Sequence, residues 1–205
     1  MPNHRRTLIA ALAAAIATGA IVALAMCSAR QWNDVAIAWP ATLPACDGFD
    51  FPVGRPDATG FHDMLEFGVE DRLGYHLGGD WTGNGAANAD LGAPVHAAAA
   101  GVVIDTRDVG YDWGNVVRIA HGCAVETIYA HLERIETHVG ATVKRGDRIG
   151  TVGNAGAEYD DAHLHFEVRD RPLPLGGGYY NEGEDFTGYL DPTAYIRAHR
   201  PSQQR

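Results

Sequence analysis

His163-Leu164-His165-Phe166-Glu167 is where this sequence could do chemistry, read together with His76-Leu77-Gly78-Gly79-Asp80 and Tyr129-Ala130-His131-Leu132 upstream. In an extended strand, residues two apart project to one face, about 6.6–6.8 Å apart along the chain. His163 and His165 would then face one groove, and His76 and Asp80 would share a face by the same even spacing. Four imidazoles and a carboxylate meeting in one groove are costly to leave unpartnered. A zinc ion held by nitrogen and oxygen, with a position open to water, is the economical explanation. Glu167 lies on the His163/His165 face and could serve a ligand's second ring nitrogen, although a solvated strand carboxylate is the simpler expectation. His62, His96, His121, His138 and His199 lack a ligand-like context and read as surface or loop residues.

The elements that must position these groups are short strands. Val102 to Ile104, Val116 to Ile119, Val125 to Tyr129 and His163 to Val168 are β-branched or alternating runs bounded by Gly, Asn and Asp. His121-Gly122-Cys123 between two of them predicts a hairpin, and Gly140, Gly146, Gly150, Gly153 and Gly156 mark tight connections. Helical periodicity after residue 30 is confined to Pro192–His199. Gly83 to Asp90 reads as a loop beside the first motif. Asp170 to Gly188 reads as a second long loop, either shaping the groove or running over the surface. The pattern predicts one mainly β domain of roughly 150 residues, large enough to bury its own core.

Met1 to Met26 read as an export segment: a basic start at His4, Arg5 and Arg6, then an Ala-rich stretch from Leu8 to Met26 with no charge. A cleaved signal, an uncleaved anchor and a lipid on Cys27 (Leu24-Ala25-Met26-Cys27 resembles a lipobox) all fit, and Arg5-Arg6 resembles a twin-arginine signal. Residues 27–45 form a linker, 46–198 the domain and 199–205 a tail. The chain carries a formal charge of −10, and without the two arginines of the leader the remainder is near −12. So acidic a domain lacks the basic surface that nucleic acid requires, whereas a neutral or zwitterionic peptide is compatible with it. Once exported, Cys46 and Cys123 are left as a pair in an oxidising compartment, where a disulfide is the default expectation.

Residues from about Phe51 to Arg169 resemble the lysostaphin/LytM-type zinc metallopeptidases, the murein endopeptidase family. The resemblance is carried by His76 to Trp81, Gly92-Ala93-Pro94-Val95, Ala98 to Val103, Gly114 to Val117, Tyr129 to Leu132, Val143 to Gly146, Ile149-Gly150, Val152-Gly153 and His163 to Val168. It implies an antiparallel β-sandwich or barrel-like domain with long loops. It also implies His76, Asp80 and His165 as ligands of Zn2+, with His131 and His163 as a second, catalytic pair. The implied activity is that of an exported endopeptidase acting on peptidoglycan peptides. The alternative within the same fold is a non-catalytic module that binds the wall or activates another hydrolase. One departure stands beside the site: relatives carry Ser/Thr-Gly-Pro before the His pair, where this chain has Glu158 to Ala162.

Overall fold

Runs of β-branched and aromatic residues separated by Gly, Asn and Asp pair readily into sheets, and strands dominate here. A computed structural model describes residues 35–71, 74–110, 113–154, 161–175, 180, 181 and 183–201. The export segment, Cys27 and the first part of the linker lie outside the described residues, as do Glu158, Tyr159 and Asp160. No helix among the described residues is long and apolar enough to cross a membrane.

In the unit Ala36–Arg205 the strands are β1 (Phe61–Leu65), β2 (Glu70–Asp71), β3 (Gly74–His76), β4 (Gly79–Gly83), β5 (Pro94–His96), β6 (Gly101–Asp108) and β7 (Asn115–His121). They continue as β8 (Val125–Ile135), β9 (Thr142–Val143), β10 (Arg148–Val152), β11 (Leu164–Arg169), β12 (Tyr180–Asn181) and β13 (Tyr189–Leu190). Among the described residues ten strands join one open antiparallel sheet along β1-β4-β11-β8-β7-β6-β9, with β13 beside β11 and β10 linking β5 to β8. A second sheet, β12-β3-β2, is small. The mainly antiparallel β architecture expected from the sequence is what the chain adopts. The expected hairpin joins β7 to β8, with His121 opposite Val125. The helical pattern near the end forms α1 (Pro192–Ala198), capped by Asp191, whose Oδ1 accepts from the Ala194 N–H at 3.0 Å.

Alternation along β11 divides its two faces. Leu164, Phe166 and Val168 enter the core with Trp81, Val117, Ile119, Tyr129 and Ile196. His165, Glu167 and Arg169 turn to the other face by the period of two, yet all three are buried. Cys46 and Cys123 are joined as expected, with Cα atoms 5.5 Å apart. His121 departs from its expectation as a surface residue. Its ring is fully buried against Phe49 at 5.4 Å, Nδ1 donates to Ala100 O at 2.9 Å, and Nε2 lies 2.8 Å from Thr127 Oγ1. Burial without a counter-charge pulls its imidazole down to about 4.

Candidate metal centre

Two of the predicted ligands are cross-strand neighbours: Asp80 on β4 pairs directly with His165 on β11, which in turn pairs with Ala130 on β8. Opposed residues on one face bring their side chains within reach, and Asp80 Oδ1 lies 2.8 Å from His165 Nδ1. His76 arrives differently. The even spacing to Asp80 suggested one strand, but His76 ends β3 of the small sheet and Asp80 sits in β4. The chain crosses between them through Gly78, where a Cβ would come within 2.7 Å of both His165 Cε1 and Phe166 O. Only a glycine fits at that crossing. His76 Nε2 thereby reaches 3.1 Å from His165 Nδ1 and 3.3 Å from Asp80 Oδ1.

Outer hydrogen bonds decide which ring atoms face inward. Glu66 O can only accept, so at 3.4 Å it takes the Nδ1 proton of His76 and turns the Nε2 lone pair to the centre. Glu167 Oε1, 3.1 Å from His165 Nε2, takes that proton and leaves the Nδ1 lone pair facing inward. One atom from each of His76, Asp80 and His165 lies within 4.8 Å of the other two, all buried. Two lone pairs and a carboxylate oxygen aimed at one point repel unless a cation stands between them. The electrostatics say the same. Burial pulls His165 down, yet hydrogen bonds and charge from Asp80 and Glu167 carry it up to about 9. Burial likewise pushes Asp80 up, while the two imidazoles hold it well below the usual carboxylate range. The cluster competes for a proton because it is built for a positive charge, and its nitrogen and oxygen donors suit a divalent metal.

His131 and His163 stand beside this cluster, with ring centroids 4.7 Å apart; the His131 and His165 rings are 5.8 Å apart. His163 donates from Nδ1 to Asp161 O at 3.0 Å, which leaves Nε2 as an acceptor 3.8 Å from Asp80 Oδ2. His131 lies where β8 carries an extra residue relative to β7, and its φ is +59°. A bulge re-aims a side chain that a regular strand would point elsewhere. The left-handed conformation costs a non-glycine residue of order 1–3 kcal/mol, and the His131 N–H bond to Trp113 O at 3.0 Å helps hold it. All five predicted site residues therefore converge.

The neighbourhood contains more than the sequence reading found. Glu167, expected to be a solvated carboxylate, is fully buried behind His165. Asp63 on β1 was missed; its Oδ1 accepts the Asp80 N–H at 3.0 Å. Burial and the charge of Asp80 push the Asp63 carboxyl up to about 7. Asn88, in the loop expected between Gly83 and Asp90, accepts the Ala162 N–H at 2.7 Å and so anchors the approach to His163. The long loop after β11 reaches the site: β12 pairs with β3, opposing Tyr180 to His76, and Phe186 packs on Phe67 at 5.1 Å and Tyr75 at 5.9 Å. Asn115 has a structural task, donating from Nδ2 to Leu132 O at 2.9 Å.

Residues 79–177 match the family model of peptidase family M23. The chain is 40% identical over 107 residues to the peptidoglycan DD-endopeptidase ShyA of Vibrio cholerae, which covers 51% of this chain and 23% of that protein. It thus spans about a quarter of the length of ShyA and of the related Vibrio cholerae endopeptidase ShyB. A zinc-containing peptidase from Vibrio cholerae superposes with a TM-score of 0.50 at 29% identity, over 65% of this chain and 41% of that one. The catalytic domain of lysostaphin from Staphylococcus simulans superposes at 0.52 with 21% identity, over 68% and 95%. That second likeness is one of fold.

Proposed function

Because residues 79–177 of this chain match the model of peptidase family M23, we propose that the protein is a member of that family, an exported zinc endopeptidase cleaving peptide cross-links or stem peptides of bacterial peptidoglycan. The observation that carries the reading is the buried convergence of His76, Asp80 and His165, with every acceptor atom turned inward. Those three side chains would hold the metal. Zinc bound there would supply Lewis-acid polarisation of a peptide carbonyl and a water acidified towards neutrality.

The chain's own residues supply the proton handling. His163 accepts at Nε2, since its Nδ1 proton is engaged by Asp161 O, and an imidazole is suited to that task near neutral pH. His131, set against the His163 ring, steadies the charge that develops on the carbonyl oxygen. Peptidoglycan as substrate is supported by the similarity to ShyA, a peptidoglycan DD-endopeptidase, and by an acidic domain that tolerates zwitterionic peptides. Export is supported by the Cys46–Cys123 disulfide, which belongs to an oxidising compartment, and by the export-like sequence of Met1 to Met26, whether cleaved as a signal, kept as an anchor or followed by a lipid on Cys27.

The test is incubation of the purified protein with sacculi, with chelator, and with zinc restored after chelation. Soluble muropeptides carrying a newly opened peptide bond, lost with chelator and regained with zinc, are expected. Binding to sacculi without product in any condition would overturn the reading in favour of a non-catalytic wall-binding or hydrolase-activating module.

A further inference from the structure

We infer that Glu167 is the positioning residue of the metal centre and that Arg169 dictates why it must be a carboxylate rather than its amide. The inference rests on the metal-binding reading above. On β11, His165, Glu167 and Arg169 follow one another on one face, and all three are fully buried. Glu167 sits between two donors: His165 Nε2 is 3.1 Å from Oε1, and Arg169 Nε is 2.6 Å from Oε2. Arg169 has no acceptor atom. It is held in place by Pro174 O at 2.8 Å and by Glu126, directly opposite on β8 and 4.0 Å away. Glu126 pairs in turn with the buried Arg118 at 2.6 Å, and its other oxygen accepts the Trp39 Nε1–H at 2.8 Å. The guanidinium cannot swing away, so Glu167 always faces a donor on that side.

A carboxylate satisfies two donors at once, and an amide cannot. With metal on Nδ1, His165 must carry its proton on Nε2. In Glu167→Gln the single amide oxygen turns either to His165 or to Arg169, and the NH2 group then faces the other donor. The metal-free protein can escape the clash by moving the His165 proton to Nδ1, where the metal must bind. The same exchange disables a catalytic histidine when the carboxylate behind it becomes an amide. Removing the guanidinium should reverse the defect, because the glutamine oxygen can then turn to His165.

The experiment measures zinc affinity by competition with a chelator for the parent, Glu167→Gln, Arg169→Met and the double variant, with zinc-free thermal stability recorded alongside. Glu167→Gln should bind zinc about 10–100-fold more weakly, the range expected when a ligand's outer partner is lost. Arg169→Met should stay within a few-fold of the parent, and Glu167→Gln/Arg169→Met should return to the Arg169→Met value. A role limited to folding would make the double variant no better than Glu167→Gln in zinc affinity. If Glu167→Gln does not fold, Glu167→Ala/Arg169→Met joins the comparison in the background without the guanidinium. Alanine should then bind zinc weakly and glutamine tightly, and equal affinities overturn the inference. A parent that binds no zinc overturns the centre and this inference together; a parent that binds zinc with an equally tight Glu167→Gln overturns the inference alone.

Discussion

Acid should unfold this protein partly through His121, a residue remote from the chemistry. Its ring is enclosed between Phe49, Ala100 O and Thr127, and burial lowers its pKa from 6.5 to about 4. The unfolded chain takes up a proton near 6.5 while the native state refuses it until near 4. A depressed folded-state pKa contributes stability that is complete above 6.5 and drains away as pH falls through 4. The 2.5-unit gap corresponds to about 3 kcal/mol lost by pH 4, of which about 2 kcal/mol has gone by pH 5. Asp63 titrates with the opposite sign in the same range, so the parent's pH profile alone does not isolate the effect. His121→Asn does, because it removes one titration and leaves the others. Urea unfolding of both proteins from pH 7.5 to 4 should show the parent losing about 3 kcal/mol relative to the variant. The C2 proton of His121 should meanwhile show no shift until the pH nears 4. A flat difference curve, or a ring that titrates near 6.5 in the folded protein, would refute the argument.

Asp63→Asn should stabilise the metal-free protein above neutrality. The Asp63 pKa is raised to about 7, so its contribution is present below 3.8 and lost as pH rises through 7. The gain in melting temperature should open between pH 4 and 8 and vanish in acid, and a constant gain at every pH would mean no titration is involved. Replacing Cys46 and Cys123 by alanine frees a 77-residue separation and should cost about 2–4 kcal/mol in urea unfolding; an unchanged midpoint contradicts this. His165→Ala should lose bound zinc. His131→Ala should retain zinc while losing about 10²–10⁴ in rate, and metal analysis showing equal zinc loss in both would reverse the assignments.

Local chemistry settled a good deal of this before any folding was considered. The period of two along His163 to Arg169 follows from strand geometry and holds wherever the strand is placed, so the shared face of His163, His165 and Glu167 is readable in the letters. The hairpin at His121-Gly122-Cys123 and the helical run from Pro192 to His199 are equally local. Which polar groups are buried is not local. Glu167 resembles any strand carboxylate until Arg169 and Glu126 close around it, and His121 resembles a turn histidine until Phe49, 72 residues earlier, covers it. Asp63 carries no motif, because its only mark is the Asp80 N–H that the β1–β4 register brings to it. His76 and Asp80 have the spacing of one strand but stand in two sheets, since the crossing at Gly78 is set by the His165 ring packed against it. The left-handed φ of His131 likewise arises from a mismatch between β7 and β8 that neither strand contains alone. Side-chain identity and strand period reside in neighbouring residues; desolvation, tautomer and strain are created only when distant strands pair.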